Sequence, residues 1–176
     1  MRFAEDLRAV RALARAHGPA TLFDLSLVYL ALFRLGSGLY RRHRIFAPVR
    51  LFEKLLELVF GIHLPFTADI GGGLVIFHYH GIIINGGARL GRSCRLHARI
   101  CIGNRFPGDG APVLGDGVTV GTGAAILGPV EIPAGTRIPA NAVVTPRSLA
   151  AFIPARNGGD HGPDQGERRH RAHGGL

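Results

Sequence analysis

The sequence predicts a mainly β protein, folded as a triangular parallel β-helix that follows an α-helical segment and precedes a disordered tail. The strongest observation is a period of six in branched aliphatic residues, which fits neither a helix nor a hairpin but fits a prism with one short strand per side. Compact residues usually follow four positions later, as at Ala88, Cys94 and Ala124. The 26 glycines and the 7% aromatic content indicate tight turns and thin layers. The aliphatic positions are Ile84, Leu90, Leu96, Ile102, Leu114, Val120, Ile126, Ile132, Ile138 and Val144.

The chain divides into three predicted parts. Residues 1–60 form a helical segment, residues 61–156 the β-helix and residues 157–176 a tail with too few apolar residues to fold. Within the first part, Gly18-Pro19 ends one helix, Gly36-Ser37-Gly38 interrupts a second, and Pro48 begins a third.

Charge and cysteine content narrow the range of environments. The net charge is +9, and the two cysteines of the 176 residues cannot form a disulfide framework, which predicts a reduced, cytoplasmic protein. Glu5, Asp6 and nearby arginines occupy the place of a signal peptide. The arginines lack interleaved aromatic residues, so nucleic acid is not an expected partner. The basic helices leave peripheral contact with a membrane surface open.

Three stretches of the central part carry a resemblance to a known family. They are Ile70–Asn85 (IGGGLVIFHYHGIIIN), Gly110–Gly117 (GAPVLGDG) and Val120–Gly128 (VGTGAAILG). In residue type and spacing, residues 61–156 resemble the hexapeptide-repeat acyltransferases, in particular the serine acetyltransferase-like branch. The resemblance implies a left-handed parallel β-helix, a homotrimer with active sites between subunits, and acetyl transfer from acetyl-CoA to a hydroxyl group.

The resemblance assigns His78 as the general base. The hexad register is displaced here, because Ile76 and Ile84 are eight residues apart, and this is where the family keeps its catalytic loop. An alcohol attacks a thioester poorly, and an imidazole can take its proton during the attack. No metal and neither cysteine is expected to take part.

The remaining site residues are expectations as well. Most follow from the resemblance, whereas Phe106 and Asp109 of the loop 103–113 are chosen as an aromatic ring and an acceptor of the kind that suit a sugar. The positions expected to orient the base or to contact the acceptor are His63, Phe77, His80, Asn85, Phe106 and Asp109. The positions expected to bind acetyl-CoA are Gly103, Gly121, Thr122, Arg137 and Arg156.

Departures from the family pattern bear on the acceptor. Phe77 stands where the family has an aspartate, and Gly110-Ala111 stands where it has an Arg-His pair, so contacts for a zwitterion are missing. His63 lies nearest to the position of the carboxylate that usually orients the base, so another carboxylate, His63 itself or a backbone carbonyl would fix the tautomer. We therefore expect a sugar or polysaccharide precursor as acceptor, with serine O-acetylation in cysteine biosynthesis as the alternative. Two further classes stay open, a non-catalytic β-helix scaffold and a zinc enzyme that uses His78, His80 and His97.

Overall fold

The computed structural model describes residues 2–17, 25–43 and 46–152. Three α-helices come first, α1 (Arg2–His17), α2 (Leu25–His43) and α3 (Phe46–Phe60). The predicted tail at 157–176 and the candidate residue Arg156 lie outside the described residues. None of the described helices is long and apolar enough to cross a bilayer.

Thirteen strands follow in the described part of the chain, and they form three parallel sheets. Sheet A contains β1 (Ile62–His63), β4 (Ile82–Ile84), β7 (Cys101–Gly103), β10 (Ala125–Leu127) and β13 (Val143–Val144). Sheet B contains β2 (Asp69–Ile70), β5 (Arg89–Leu90), β8 (Val113–Leu114) and β11 (Glu131–Ile132). Sheet C contains β3 (Val75–Ile76), β6 (Arg95–Leu96), β9 (Thr119–Val120) and β12 (Arg137–Ile138).

The strand order A, B, C repeats along the chain, so the predicted left-handed parallel β-helix is confirmed. Each strand pairs in parallel with the strand one coil away, as in Ile84 with Ile102 and Ile102 with Ile126. All ten aliphatic residues of the hexad series are buried, as the period of six predicts. They point into the prism and stack coil on coil, which explains why residue type repeats so strictly.

The three corners of the prism are named here after the sheets that they connect in chain direction. The A/B edge follows sheet A, the B/C edge follows sheet B, and the C/A edge follows sheet C and leads into the next coil. On the C/A edge the loop 77–81 between β3 and β4 contains the displaced register. On the A/B edge the longest loop of the β-helix, 104–112, joins β7 to β8.

The predicted interruption of the second helix at Gly36-Ser37-Gly38 is wrong, since α2 runs unbroken from Leu25 to His43. The glycine at 36 serves packing, because a Cβ there would collide with the ring of Phe66. The Ser37 hydroxyl donates to the carbonyl of Arg34 within the same helix, at 3.2 Å. Helix α3 begins at Phe46, so Pro48 lies in its first turn, where a missing N–H costs little.

A buried ion pair fastens the helices to the β-helix at the B/C edge. The Asp6 carboxylate of α1 is fully buried and accepts from Arg34 Nε of α2 at 2.8 Å. It also accepts from the backbone N–H of Leu74 at 2.9 Å. The same arginine donates to the carbonyls of Ile70 and Gly71, so one pair joins two helices to the first coil.

The C-terminal end of the described chain lies against the last coil. A short 3₁₀ helix, Leu149–Ala151, follows β13, and Leu149 and Phe152 pack against the core. Strand β13 pairs with β10 on one side and has no strand on its other side within residues 2–152.

Candidate active site

His78 lies on the C/A edge in an unusual backbone conformation. Its side chain is exposed and its φ is 57°, in the left-handed region that favours glycine. The regular left-handed position of this edge is occupied coil after coil by Gly61, Gly81, Arg99, Gly123 and Asn141, whose φ values lie between 56° and 73°. His78 stands outside that series, in the extra residues of the 77–81 loop. Strain of this kind is concentrated at functional sites.

Aromatic rings line this loop on both sides of the histidine. Phe77 stacks on the His97 ring of the next coil, with centroids 4.8 Å apart and 18° between the planes. Tyr79 lies against His80 at 4.4 Å. Burial lowers the pKa of His97, and the neighbouring charge of His78 lowers it further. The edge therefore combines two close imidazoles with an aromatic surface.

Arg99 is a candidate that the sequence argument missed. The backbone N–H of Arg99 donates to the carbonyl of His80 at 3.0 Å, which joins Arg99 to the loop of the candidate base. Its side chain is exposed, and within the described residues no carboxylate pairs with it. Its φ of 56° occupies a position that glycine or asparagine takes in the other coils of this edge. A large cation at a corner that favours glycine is the signal that points to it.

His63 has a different partner from the one expected. Its Nδ1 lies 3.1 Å from Oε1 of Glu57, and Lys54 donates to the other Glu57 oxygen at 2.6 Å. The hydrogen bond from Lys54 and the contact with His63 lower the pKa of Glu57. Among the described residues no hydrogen bond joins His63 to His78. His63 and Gly81, which ends the loop that contains His78, line one open depression of about 650 Å³.

The candidate acceptor residues Asn85, Phe106 and Asp109 lie on the A/B edge, across sheet A from His78. The Asn85 side chain accepts from the N–H of Gly87 at 2.8 Å, so its oxygen supports a turn. Phe106 is 61% exposed, and the Arg105 guanidinium lies over its ring at 5.2 Å. Within one chain, these residues and the candidate base are not brought together.

Two oxygens of the 104–112 loop lack hydrogen-bond donors. Asn104 Oδ1 and Asp109 Oδ2 are buried without a hydrogen bond within the described part of the chain. Arg105 Nε is 3.5 Å from the Asp109 oxygen, an ion pair rather than a good hydrogen bond. The Asn104 amide is held in place because its Nδ2 donates to the carbonyl of Asp109 at 2.9 Å. Buried oxygens of this kind are ready to accept from an incoming donor.

The candidate acetyl-CoA residues are spread over the C/A edge, the A/B edge and sheet C. Gly121 and Thr122 lie on the C/A edge, one coil beyond His97, and a Cβ at Gly121 would collide with the backbone of Ala140. Gly103 lies at the start of the A/B edge, and Arg137 projects from sheet C into solvent. Thr122 accepts through its carbonyl from Asn141 at 2.8 Å. The structure thus joins His78, Gly121 and Thr122 on one edge and separates Gly103 from them.

No group of three histidine, cysteine or acidic side chains with metal-binding geometry occurs among residues 2–17, 25–43 and 46–152. The zinc alternative with His78, His80 and His97 therefore finds no preformed ligand set there.

Comparison with known proteins gives serine acetyltransferases among the relatives of this chain. No model of a known protein family matches the sequence. A serine acetyltransferase of Helicobacter pylori is 34% identical over 117 residues, which is 65% of this chain and 68% of the relative. One of Salmonella typhimurium is 30% identical over 142 residues, 77% of this chain and 52% of the relative.

The fold comparison agrees with the sequence comparison. The crystal structure of the Neisseria gonorrhoeae serine acetyltransferase in complex with serine superimposes with a TM-score of 0.71 at 26% identity. It covers 82% of this chain, and this chain spans 61% of the Neisseria chain. The chain thus spans between about half and two thirds of the length of the relatives named here. On the sequence identity and the shared β-helix together, the chain belongs to the serine acetyltransferase family of hexapeptide-repeat acyltransferases.

Proposed function

We propose that this chain transfers the acetyl group of acetyl-CoA to the hydroxyl of an acceptor, with His78 as the general base. The observation that carries the proposal is the position of His78, exposed and in a left-handed conformation within the displaced loop of the C/A edge. The family of the relatives supports the reaction class.

The reaction needs one proton carrier and one group that stabilises an oxyanion. His78 takes the acceptor's hydroxyl proton as the oxygen attacks the thioester carbonyl, forming a tetrahedral intermediate. Backbone N–H groups of the glycine-rich C/A edge stabilise the negative oxygen, as at Thr122, whose N–H has no acceptor among the described residues. When the C–S bond breaks, the imidazolium returns the proton to the departing CoA thiolate.

For the acceptor we propose serine, the alternative of the sequence argument, ahead of a sugar. The relatives named above are serine acetyltransferases, and none of them supports a sugar or polysaccharide precursor. The residues that the family uses for the amino acid are absent, so other groups must take their place. Arg99 offers a guanidinium for the carboxylate, and the oxygens of Asn104 and Asp109 that lack a hydrogen bond suit the donors of an ammonium group.

A trimer would bring these groups together. The residues of sheet A that point outward are mostly apolar, and Ile83 and Val143 are each at least 50% exposed. Sheets B and C mostly present charged residues instead, such as Arg89, Glu131 and Arg95. Association through sheet A would set the A/B edge of one subunit beside the C/A edge of its neighbour, closing a ring of three. Each active site would then combine His78 of one subunit with the 104–112 loop of the next.

Acetyl-CoA would extend along the same groove. We propose that Gly121 and Thr122 contact the pantetheine arm from one side and Gly103 from the other, because glycine lets a ligand approach the backbone closely. Arg137 and Arg156 would meet the phosphates, to which guanidinium groups bind in pairs of hydrogen bonds.

The test is a thiol-release assay with acetyl-CoA, in which L-serine, L-serine methyl ester, simple sugars and nucleotide sugars compete as acceptors. We expect CoA release with L-serine, weaker release with the ester, which lacks the carboxylate charge, and none in the His78→Ala variant. A sugar that outperforms serine would overturn the acceptor proposal and leave the reaction class intact. Failure to bind acetyl-CoA at all would overturn both and favour a non-catalytic scaffold.

A further inference from the structure

The helical segment exposes an unusual number of large aliphatic side chains. Helices usually turn such residues toward the core and present polar residues to solvent. Eight of the exposed large apolar residues in the described part of the chain lie on α2 and α3. They are Leu25, Val28, Leu35, Leu39, Leu51, Leu55, Leu58 and Val59.

On α2 these residues form one stripe. Leu25, Val28, Leu35 and Leu39 are separated by three, seven and four residues, a spacing that keeps them on one side of a helix. The core-facing side of the same helix is separate and carries buried residues such as Tyr29 and Phe33. The stripe is therefore a second apolar surface and not the edge of the first.

On α3 the arrangement is similar. Leu51, Leu55 and Leu58 follow at intervals of four and three and are 62%, 49% and 82% exposed, whereas Leu56 and Phe60 on the other side are buried. The two helices are antiparallel neighbours, because Tyr29 near the start of α2 contacts Phe60 at the end of α3, with ring centroids 5.4 Å apart. We call the stripes on the two helices the leucine face.

The exposed charges around the leucine face are mostly positive. Arg42 of α2 is exposed with no ion pair among the described residues, whereas Arg50 and Lys54 of α3 lie 3.8 and 2.6 Å from Glu53 and Glu57. Arg41 of α2 is also exposed and lies 3.4 Å from Asp69 of the β-helix. The acidic residues that these helices contain are already engaged. Glu53 is buried and accepts from the N–H of Phe66 at 2.9 Å, and Glu57 is paired with Lys54 and His63. No acidic side chain in the described parts of α2 and α3 is fully exposed.

This combination restricts what can cover the face. A second copy of the same face would set arginine against arginine, which is unfavourable. A nucleic acid would use the arginines but would gain nothing from exposed leucines. An anionic lipid bilayer matches both features, because its surface is negative and its interior accepts aliphatic side chains.

We propose that the leucine face binds anionic membrane surfaces, with α2 and α3 lying in the interface and the β-helix held outside it. The leucines enter the boundary between headgroups and acyl chains, and the flanking arginines and lysine meet lipid phosphates. Lys54 and Leu58 line the same depression as His63 and Gly81, so the α3 end of the leucine face borders the C/A edge.

The first experiment is flotation of the full chain with vesicles of phosphatidylcholine, alone or with about 30% phosphatidylglycerol as the anionic lipid. We expect flotation with the anionic vesicles, little with the neutral ones, and weaker flotation at about 0.5 M salt, which screens the arginines. Absence of flotation with both kinds of vesicle would overturn the proposal.

Paired variants separate the leucines from the charges. Leu51→Gln/Leu55→Gln should lower the partition coefficient at least tenfold, whereas Val113→Gln, an exposed apolar residue of sheet B, should leave it unchanged. Arg42→Gln/Arg50→Gln should lower it by more than tenfold, at about fivefold for each charge, since each basic residue near an anionic surface adds that much.

The matched charge control is Arg89→Gln/Arg95→Gln, which removes two exposed arginines from the β-helix. If both double arginine variants lower the partition coefficient equally, net charge alone attracts the protein to vesicles, and the proposed face is overturned. Light scattering tests whether a second copy of the chain covers the leucine face. A molecular mass that falls in Leu51→Gln/Leu55→Gln without vesicles present would show that a second copy covers the face, and would overturn the membrane proposal.

Discussion

The B/C and C/A edges of the β-helix differ in how their charged residues are paired. On the B/C edge, helix α1 covers the corner and its acids are paired, Asp6 with Arg34 and Glu5 with Arg92 at 2.9 Å. On the C/A edge, no described acid pairs with Arg99, and His78 is exposed on the same edge. The paired edge joins helices to strands, and the unpaired edge is available to a ligand.

The difference shows how a repeated scaffold acquires a site. Both edges need a left-handed residue in each coil, and Ser93 and Arg99 fill that position on the B/C and C/A edges with φ values of 56°. Of these two edges, only the C/A edge departs from the repeat, through the two extra residues around His78. The contrast can be tested by changing corresponding residues on the two edges.

The largest expected effect is on catalysis. His78→Ala should reduce kcat by about 10² to 10⁴-fold, because it removes the proposed proton acceptor. The control is Ser93→Ala at the corresponding corner of the B/C edge, which should stay within twofold of wild type in the same thiol-release assay, on the order of experimental scatter in such rates. A near-normal rate in His78→Ala would remove the histidine from the mechanism.

The next effect is on folding, and it belongs to the paired edge. Asp6→Ala should lower the free energy of unfolding by about 3 to 5 kcal/mol, because it leaves Arg34 buried without its carboxylate. Its neighbour Glu5 forms a pair with the largely exposed Arg92, so Glu5→Ala should cost less than about 1 kcal/mol. Urea denaturation of both variants measures the difference, and equal losses would contradict the distinction between the buried and the exposed pair.

A smaller effect separates binding from stability on the unpaired edge. Arg99→Gly removes the proposed carboxylate ligand but supplies the residue that a left-handed corner prefers. We expect KM for serine to rise about tenfold, the value of one charge-assisted contact, while the free energy of unfolding stays equal or rises by up to about 1 kcal/mol.

The matched change on the other edge is Ser93→Gly, which should have the same effect on stability and none on KM. If KM for serine methyl ester rises as much as KM for serine in Arg99→Gly, the arginine does not bind the carboxylate.

The smallest effect concerns pH. Burial first and the charge of His78 second hold the pKa of His97 below its ordinary value. The unfolded chain therefore binds this proton more readily than the folded one, so the folded state loses stability as the pH falls below about 6.5. His97→Phe keeps the stack on Phe77 and removes the titration, and its unfolding free energy should fall less between neutral and mildly acidic pH. Equal slopes for both proteins would contradict this account.

The parts of the molecule that the sequence predicts are those that repeat. Ile84, Leu90 and Leu96 reveal the coil because each position obeys the same local rule. His78 could be assigned because it breaks that rule within a stretch that resembles a family. Contacts between distant residues leave no such trace, since Asp6 meets Arg34 and Leu74 across 28 and 68 residues.

Two differences between the prediction and the structure have the same origin. Gly36 indicates a helix break in the sequence, because the ring of Phe66 that it makes room for is thirty positions away. The left-handed conformation of Arg99 is visible only once the coils are stacked.

The end of the β-helix has a consequence for how the protein behaves in a crowded solution. A stack of coils can in principle accept one more coil, and β13 offers the peptide groups on which such growth would start. In the described chain, Leu149 and Phe152 fold back onto the core at that end. Because these two side chains pack over the end of the core, we expect a chain without them to expose an end on which a second molecule could stack, and to form fibres more readily.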